Sequence, residues 1–375
     1  MSVEIAIINK NAVTLVSNSK TIINRQLSEI DPVGIMVYGN PYLMGIHWES
    51  LIYMYKDSLK DEFFPKVEDY ANHFIEFLQE NVHLFSEDSQ DAYFYEKYSK
   101  FIINLKAKAQ GKVEVLQKLI EYTYEKLKKK DKINLFDVYK REEEGESKYV
   151  QMLNDAIEHV FTEYDLGQYF KGMLFNIGRY IYSRGSSDNK SSGIIIAGFG
   201  HSDLHPTIVA YEVDSVIDNM LIYRNTISRS CDAFHDGNIY QFKLNNILEL
   251  SQEIDMTFRI YIRNYIERLM TAYTDHIVNT VESLEEYDKV NLRNTKNNIL
   301  ENFYNDFDSF ITENYMSKMI SSINMMSKDE MIEVGRSMIN LIDFKARNSL
   351  DSTILTRHFV SVKISRLSGY VLNKE

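Results

Sequence analysis

Ser2 is the residue that could carry out chemistry by itself, because it directly follows Met1. If Met1 is removed, Ser2 gains a free α-amine, and an unperturbed α-amine has a pKa of about 7.7–8.0. Such an amine can accept the proton of the serine hydroxyl near neutral pH, so one residue would supply both the nucleophile and the general base. This predicts attack on an amide carbonyl, for which the protein must also supply hydrogen-bond donors to the developing oxyanion.

The residues that follow Ser2 predict the element that positions it. Residues 3–8 and 12–16 are short apolar runs rich in β-branched side chains, and the polar residues 9–11 separate them. Two such runs joined by a tight polar turn predict a β-hairpin. Ser2 is then expected at the mouth of the hairpin, whose second strand ends in Ser17-Asn18-Ser19.

Hydrophobic periodicity and turn residues predict the remaining core elements. Apolar residues at helical spacing indicate amphipathic helices, and short apolar or alternating runs indicate strands. In chain order the predicted elements are a buried strand at 32–40 that ends in a glycine turn, helices at 48–59 and 67–80, a strand pair at 193–200 and 207–214, a helix that begins at the capping box of Ser327 and Glu330, and strands at 360–365 and 370–372.

Two long stretches interrupt this core and are predicted to be helical insertions. Residues 84–190 are highly charged and rich in tyrosine, and residues 243–325 form a second helical tract. The Gly/Ser-rich stretch 183–192 is predicted to return the chain from the first insertion to the core. Within the insertions the helical patterns cover 91–109, 113–130, 149–182 and 254–281.

The order of these elements resembles the proteasome-subunit and bacterial proteasome-like branch of the N-terminal-nucleophile (Ntn) hydrolases. In that branch a hairpin opens the chain and its first mature residue is the nucleophile. The resemblance implies an α+β fold, a four-layer α-β-β-α sandwich with two helical insertions. Its core is expected at residues 1–83, 191–242 and 326–375, with the insertions at 84–190 and 243–325.

The resemblance also implies three site residues. Ser2 becomes the nucleophile, and Asn18 occupies the place where the family has an acid, which removes a negative charge that would balance a nearby cation. Arg25 is the nearest basic candidate for the lysine that the family carries on the next strand. Arginine cannot exchange a proton at neutral pH, so its role would be electrostatic.

Two hypotheses about function remain open at this point. The first is a peptide or amide hydrolase that uses Ser2 and works within a homo-oligomer, because relatives of this fold assemble into rings. The second is a catalytically silent scaffold that kept the fold and acts as an assembly or interaction protein through its helical insertions. Neither hypothesis calls for a cofactor or a metal ion.

Composition limits the other classes of partner. The 375 residues carry a formal net charge of −12, which disfavours a nucleic-acid-binding surface because phosphate neutralisation needs clustered Lys and Arg. A single cysteine, Cys231, excludes an intrachain disulfide and a cysteine-based metal cluster. No apolar run approaches the roughly 18 residues of a membrane span and no signal-peptide pattern precedes the first strand, so we expect a cytoplasmic protein without a membrane partner.

One further motif has the residue types of a metal site. His201, Asp203 and His205 alternate, so an extended backbone could turn all three toward one ion. No third histidine or cysteine lies nearby in the sequence, and a solvated turn is the favoured interpretation.

Overall fold

The computed structural model describes residues 3–18, 22–129, 148–164, 166–184, 191–231, 236–243, 246–249, 256–281, 283–311, 313, 317–347 and 359–374. Within these ranges the chain has an α+β fold built on antiparallel sheets. Ser2, the predicted nucleophile, lies outside the described residues.

The strands of the described ranges form two large sheets and one small two-stranded ribbon. Their bounds are β1 Glu4–Ile8, β2 Ala12–Ser17, β3 Ile23–Gln26, β4 Val33–Gly39, β5 Tyr42–Leu43, β6 Ile46–His47, β7 Ser192–Gly198, β8 Thr207–Ile217, β9 Met220–Ser230, β10 Asn238–Lys243, β11 Asn246–Glu249, β12 Val360–Ser365 and β13 Gly369–Lys374. The first sheet has the order β11-β10-β1-β2-β12-β13 and the second has the order β3-β4-β7-β8-β9.

The helices fall between and after these strands. Their bounds are α1 Trp48–Leu59, α2 Val67–Glu80, α3 Glu87–Lys108, α4 Val113–Lys128, α5 Lys148–Val160, α6 Gln168–Arg184, α7 Met256–Thr280, α8 Glu286–Ile311, α9 Ser317–Met325 and α10 Lys328–Arg347. The predicted opening hairpin is confirmed, with Glu4 opposite Ser17. The predicted capping box is also confirmed, because the side chains of Ser327 and Glu330 each accept a hydrogen bond from the other residue's backbone N–H.

The two large sheets pack face to face, and helices cover their outer faces. α1 and α2 cover the second sheet through a buried cluster that includes Trp48, Tyr70 and Phe74. α10 covers the first sheet, where Met331 and Ile339 pack on β1 and β2. The layer between the sheets holds apolar side chains from both: Ala6, Leu15, Phe242 and Val362 from the first sheet, and Met36, Tyr38, Ile195 and Ala210 from the second.

The helices α3 to α6 form a separate apolar cluster of their own. Phe94, Tyr98 and Leu153 are buried at its centre. Ile217 of β8 and Ile222 of β9 belong to the same cluster, so this helical unit packs on the turn between these two strands. The unit is therefore fixed to one end of the second sheet.

Residues 246–249 correct the predicted start of the second helical tract. The sequence pattern predicts helix beyond residue 243, whereas β11 pairs antiparallel with β10 from Tyr240 opposite Glu249 to Lys243 opposite Asn246. A four-residue strand is too short to show a period of two, so its pairing partner, not its own sequence, decides its structure.

Gly193 of β7 is needed for the packing of a tyrosine ring between the sheets. A Cβ atom on Gly193 would lie 1.9 Å from Cζ of Tyr38, its cross-strand neighbour. Because this ring is buried, it cannot swing away, so we expect Gly193→Ala to lower the free energy of unfolding by roughly 2–3 kcal/mol. Denaturant unfolding measures this effect. Gly172→Ala in α6 is the matched control, where open space predicts no loss; an equal loss in both variants would contradict the packing argument.

Candidate active site

The start of β1 is held by the side chain of Asn18. Its Oδ1 atom accepts a hydrogen bond of 2.9 Å from the backbone N–H of Val3, and Asn18 is 3% exposed. Val3 is the residue bonded to the carbonyl group of Ser2. The structure therefore brings Asn18, which the sequence proposed as a site residue, to the first described peptide of the chain.

Arg25 lies on the other side of the second sheet. Its cross-strand neighbour Ile35 and Ile23, two residues earlier on the same face of β3, both belong to the cluster under α1 and α2. The guanidinium forms an ion pair with Glu49 of α1 and donates a hydrogen bond of 2.8 Å to the carbonyl oxygen of Asn24. The structure thus directs Arg25 toward the helices and does not bring it together with Asn18.

Asn24 lies on the face of β3 that points into the layer between the sheets. It lies opposite Met36, which belongs to that layer, and it is 2% exposed. Neither atom of its side-chain amide has a hydrogen-bond partner in the described part of the chain. A buried amide without hydrogen-bond partners lowers the stability of the fold. This position is therefore a candidate for a functional role. Sequence reasoning missed Asn24, although strand alternation around Arg25 could have indicated it.

A cluster of charged and phenolic groups lies between the sheets at the end where β1 begins. Glu4 of β1 and Glu212 of β8 are both buried, and Arg224 of β9 forms an ion pair with Glu212. The Tyr38 ring lies 5.9 Å from that of Phe242, the cross-strand neighbour of Glu4. The sequence signal for this cluster is Glu4, the acidic residue of an otherwise apolar β1, together with Glu212 among the apolar residues of β8.

Tyr38 stays protonated in this cluster. Burial raises the pKa of its hydroxyl well above the ordinary value, and the negative charges of Glu212 and Glu4 raise it further, while Arg224 partly opposes them. The hydroxyl has no hydrogen-bond partner in the described ranges. At neutral pH the cluster therefore offers a phenolic donor beside two carboxyl groups and one guanidinium.

The same end of the second sheet is fixed to α1 by the single tryptophan. Trp48 Nε1 donates a hydrogen bond of 2.7 Å to Oγ of Ser192, which in turn donates one of 2.8 Å to the carbonyl oxygen of Asn40. Asn40 also donates its backbone N–H to the carbonyl oxygen of Ser191 at 3.3 Å. These bonds fix the end of β4 against the start of β7.

An ion pair joins this end of the second sheet to α3. Lys97 of α3 donates a 2.6 Å hydrogen bond to Oδ1 of Asp214 on β8, and its side chain is 3% exposed. Ser191 and Ser215 each donate a hydrogen bond of 3.0 Å to the same carboxylate. Burial would raise the pKa of Asp214, but the charge of Lys97 and these three hydrogen bonds outweigh it and hold the pKa below its ordinary value of 3.8.

The depressed pKa of Asp214 predicts an acid-sensitive contribution to stability. Because the carboxylate binds a proton less readily in the folded state than in the unfolded state, its contribution is present above pH 3.8 and is lost as the pH falls through the lower folded pKa. We expect Asp214→Asn to be less stable than wild type at pH 6. The difference in free energy of unfolding between the two proteins should shrink as the pH falls below 3.8. Denaturant unfolding between pH 2 and pH 6 measures this difference, with the exposed Asp57→Asn as control; parallel curves would contradict it.

The side chains of the alternating motif in the β7–β8 loop do not converge on one point. His201 Nδ1 lies 3.3 Å from Oδ1 of the buried Asp31, which also accepts a 2.8 Å hydrogen bond from the Tyr70 hydroxyl. Asp203 accepts hydrogen bonds from the backbone N–H groups of Gly200 and Val67, and His205 lies beside the carbonyl oxygen of Lys10. The three side chains have separate partners, and no group of three potential metal ligands occurs among the residues that the structure describes.

Comparison with known proteins found no relative of this chain. No family model, no curated protein and no solved structure matches this chain. In the described ranges, no helix combines the length and the apolar character that a bilayer crossing requires.

The bond between Asn18 and Val3 gives a direct test of how β1 is held. Asn18→Leu leaves the buried Val3 N–H without an acceptor, so we expect the free energy of unfolding to fall by about 1–3 kcal/mol. Amide hydrogen exchange at the start of β1 should rise at the same time. Asn298→Leu, at an exposed position of α8, is the control and should change neither quantity. Unchanged exchange in Asn18→Leu would contradict a holding role for Asn18.

Proposed function

We propose that this chain is a proteasome-like Ntn hydrolase: a four-layer α-β-β-α sandwich that cleaves a peptide or other amide with Ser2 after removal of Met1. The observation that supports it best is the hydrogen bond from Val3 N–H to Asn18 Oδ1. It orders the main chain at the first described peptide. A nucleophile that carries its own base needs such order, because misplacement by about 1 Å can cost a hundredfold in rate.

The stacking of the elements supports the same proposal. An opening hairpin in one sheet, a second sheet behind it, and helices on both outer faces are the features that the sequence resemblance implies. In this fold the amine of Ser2 takes the hydroxyl proton as the oxygen attacks the carbonyl carbon, and then gives that proton to the leaving amine as the carbon–nitrogen bond breaks. A water molecule, deprotonated by the same amine, then hydrolyses the ester on Ser2, which releases the acid and restores the hydroxyl. Asn18 contributes an acceptor without a charge, so it positions the chain but does not balance a cation.

The second candidate is a catalytically silent scaffold that acts as an assembly or interaction protein. The observation that favours it is the ion pair of Arg25 with Glu49, on the helix face of the second sheet. In this candidate the basic partner of the nucleophile is lost and the helical insertions make the contacts. For both candidates we also propose a cytoplasmic location and a homo-oligomeric state.

A covalent probe separates the two candidates. Full-length protein is treated with a hydroxyl-reactive probe for amide hydrolases, and the labelled peptide is identified by mass spectrometry. The hydrolase predicts one label on Ser2 and the same labelling in Ser202→Ala, which removes a solvent-exposed serine remote in sequence. Absence of label on Ser2, in protein that lacks Met1, favours the scaffold.

A further inference from the structure

α7 carries apolar residues on two faces, and one of the two has no partner among the residues that the structure describes. The face toward α8 is identified by Arg263, which forms a 2.5 Å ion pair with Asp308 and accepts a hydrogen bond from Tyr304 at its carbonyl oxygen. Ile266 and Met270 are half-buried on that face. A surface helix normally has one apolar stripe, so a second stripe indicates a second partner.

The second stripe begins on the side of α7 opposite Arg263, turns gradually around the helix, and is exposed along its length. Its aromatic and aliphatic members are Tyr261, Tyr265, Leu269 and Tyr273, which are between 47% and 61% exposed. They recur every four residues, and the rings of Tyr261 and Tyr265 stack with their centroids 6.2 Å apart. Exposed tyrosines beside an arginine have the composition of an interface core.

The central positions of this face have the spacing of a helix pair. Tyr265, Leu269, Ala272 and His276 are all exposed and follow one another at intervals of four, three and four residues. This spacing is the one that keeps a continuous stripe toward a neighbouring helix. Ala272 is small, so it permits close approach of two helices near the middle of the stripe.

Two charges beside the stripe determine which helix fits. Arg268 and Asp275 are seven residues apart, so they lie on the same side of α7, about 10 Å apart along its axis. Neither forms an ion pair in the described part of the chain; the Arg268 side chain donates only to the carbonyl oxygen of Asn264 at 3.2 Å. When two copies of α7 cross antiparallel near Ala272, Arg268 of each copy faces Asp275 of the other.

From this self-complementarity we propose that α7 docks on α7 of a second copy of this chain about a two-fold axis, so that two helical hairpins form a four-helix bundle. A covered aromatic side chain buries roughly 150–250 Å². Three half-exposed tyrosines and Leu269 would therefore bury about 400 Å² of accessible surface per copy. With the flanking polar groups, the total approaches the roughly 1,000 Å² of a specific but weak interface.

Charge reversal tests the proposal on the full-length protein by sedimentation velocity at increasing concentration. Wild type is expected to associate reversibly. Arg268→Asp and Asp275→Arg should each raise the dissociation constant of the dimer about tenfold, because both symmetric contacts become repulsive. An equimolar mixture of the two variants should associate again, because each unlike pair is then complementary.

The stripe itself is tested by Tyr265→Ser combined with Leu269→Ser, which should abolish association. Tyr287→Ser is the matched control, because this tyrosine is 73% exposed at the start of α8 and lies off the stripe. Circular dichroism checks that each variant folds. If wild type stays monomeric up to about 100 µM, the proposal is overturned. That result is the one expected if this face binds a helix of another protein. Association that neither reversal weakens, or that mixing does not restore, also overturns it.

Discussion

Ser2→Ala is expected to lower amide hydrolysis by at least about a thousandfold and to abolish labelling by hydroxyl-reactive probes. The substitution removes the attacking oxygen but keeps the α-amine and the small side chain, so Met1 is still removed and β1 is still held by Asn18. Stability should therefore stay within about 0.5 kcal/mol of wild type. Turnover, probe labelling and denaturant unfolding measure the three quantities.

Ser2→Thr is the matched control for this prediction. Threonine keeps the hydroxyl and the α-amine, and it adds only one methyl group, so we expect measurable turnover and retained labelling. Activity that survives Ser2→Ala would show that another residue carries the reaction. If Ser2→Ala lowered the free energy of unfolding enough to account for the lost activity, the role of Ser2 would be structural.

Lys97→Met is expected to cause the largest loss of stability, about 3–5 kcal/mol, because it leaves the largely buried carboxylate of Asp214 without its cation. Methionine has nearly the volume of the lysine stem, so packing around α3 is preserved. Helices α3 to α6 should loosen from the turn between β8 and β9 first. Hydrogen exchange by region and denaturant unfolding together measure both effects.

Two variants control this prediction. Lys97→Met combined with Asp214→Leu removes both charges, and we expect it to recover much of the loss, because an apolar pair avoids the buried charge. Lys100→Met breaks the exposed pair of Lys100 with Glu96 and should cost less than about 0.5 kcal/mol. If Lys97→Met and Lys100→Met have equal effects, the pair of Lys97 with Asp214 does not fix α3 to β8.

The parts of this fold that the sequence predicted are those with strong local patterns. The opening hairpin, α1 and α2, the β7–β8 pair and the capped start of α10 each combine a clear period with a turn or cap residue. β11 was missed because four residues carry no period of their own, and its structure depends on pairing with β10.

The candidate site was less predictable because it depends on which face of a strand each residue occupies. Arg25 and Asn24 are neighbours, and a strand turns neighbours to opposite faces. Without the register of β3 on β4, the sequence could not show that Arg25 faces Glu49 while Asn24 enters the layer between the sheets. The cluster of Glu4, Tyr38 and Glu212 needs the stacking of both sheets, which no local pattern encodes.

Catalysis by Ser2 depends most directly on a free α-amine at this residue. Intact-mass spectrometry of the protein purified from its native host, with no tag at the amino terminus, measures this. We predict a mass lower than that of the full 375-residue sequence by one methionine residue. A mass that retains Met1 would contradict catalysis by Ser2, because its nitrogen would still be part of a peptide bond and could not act as the base.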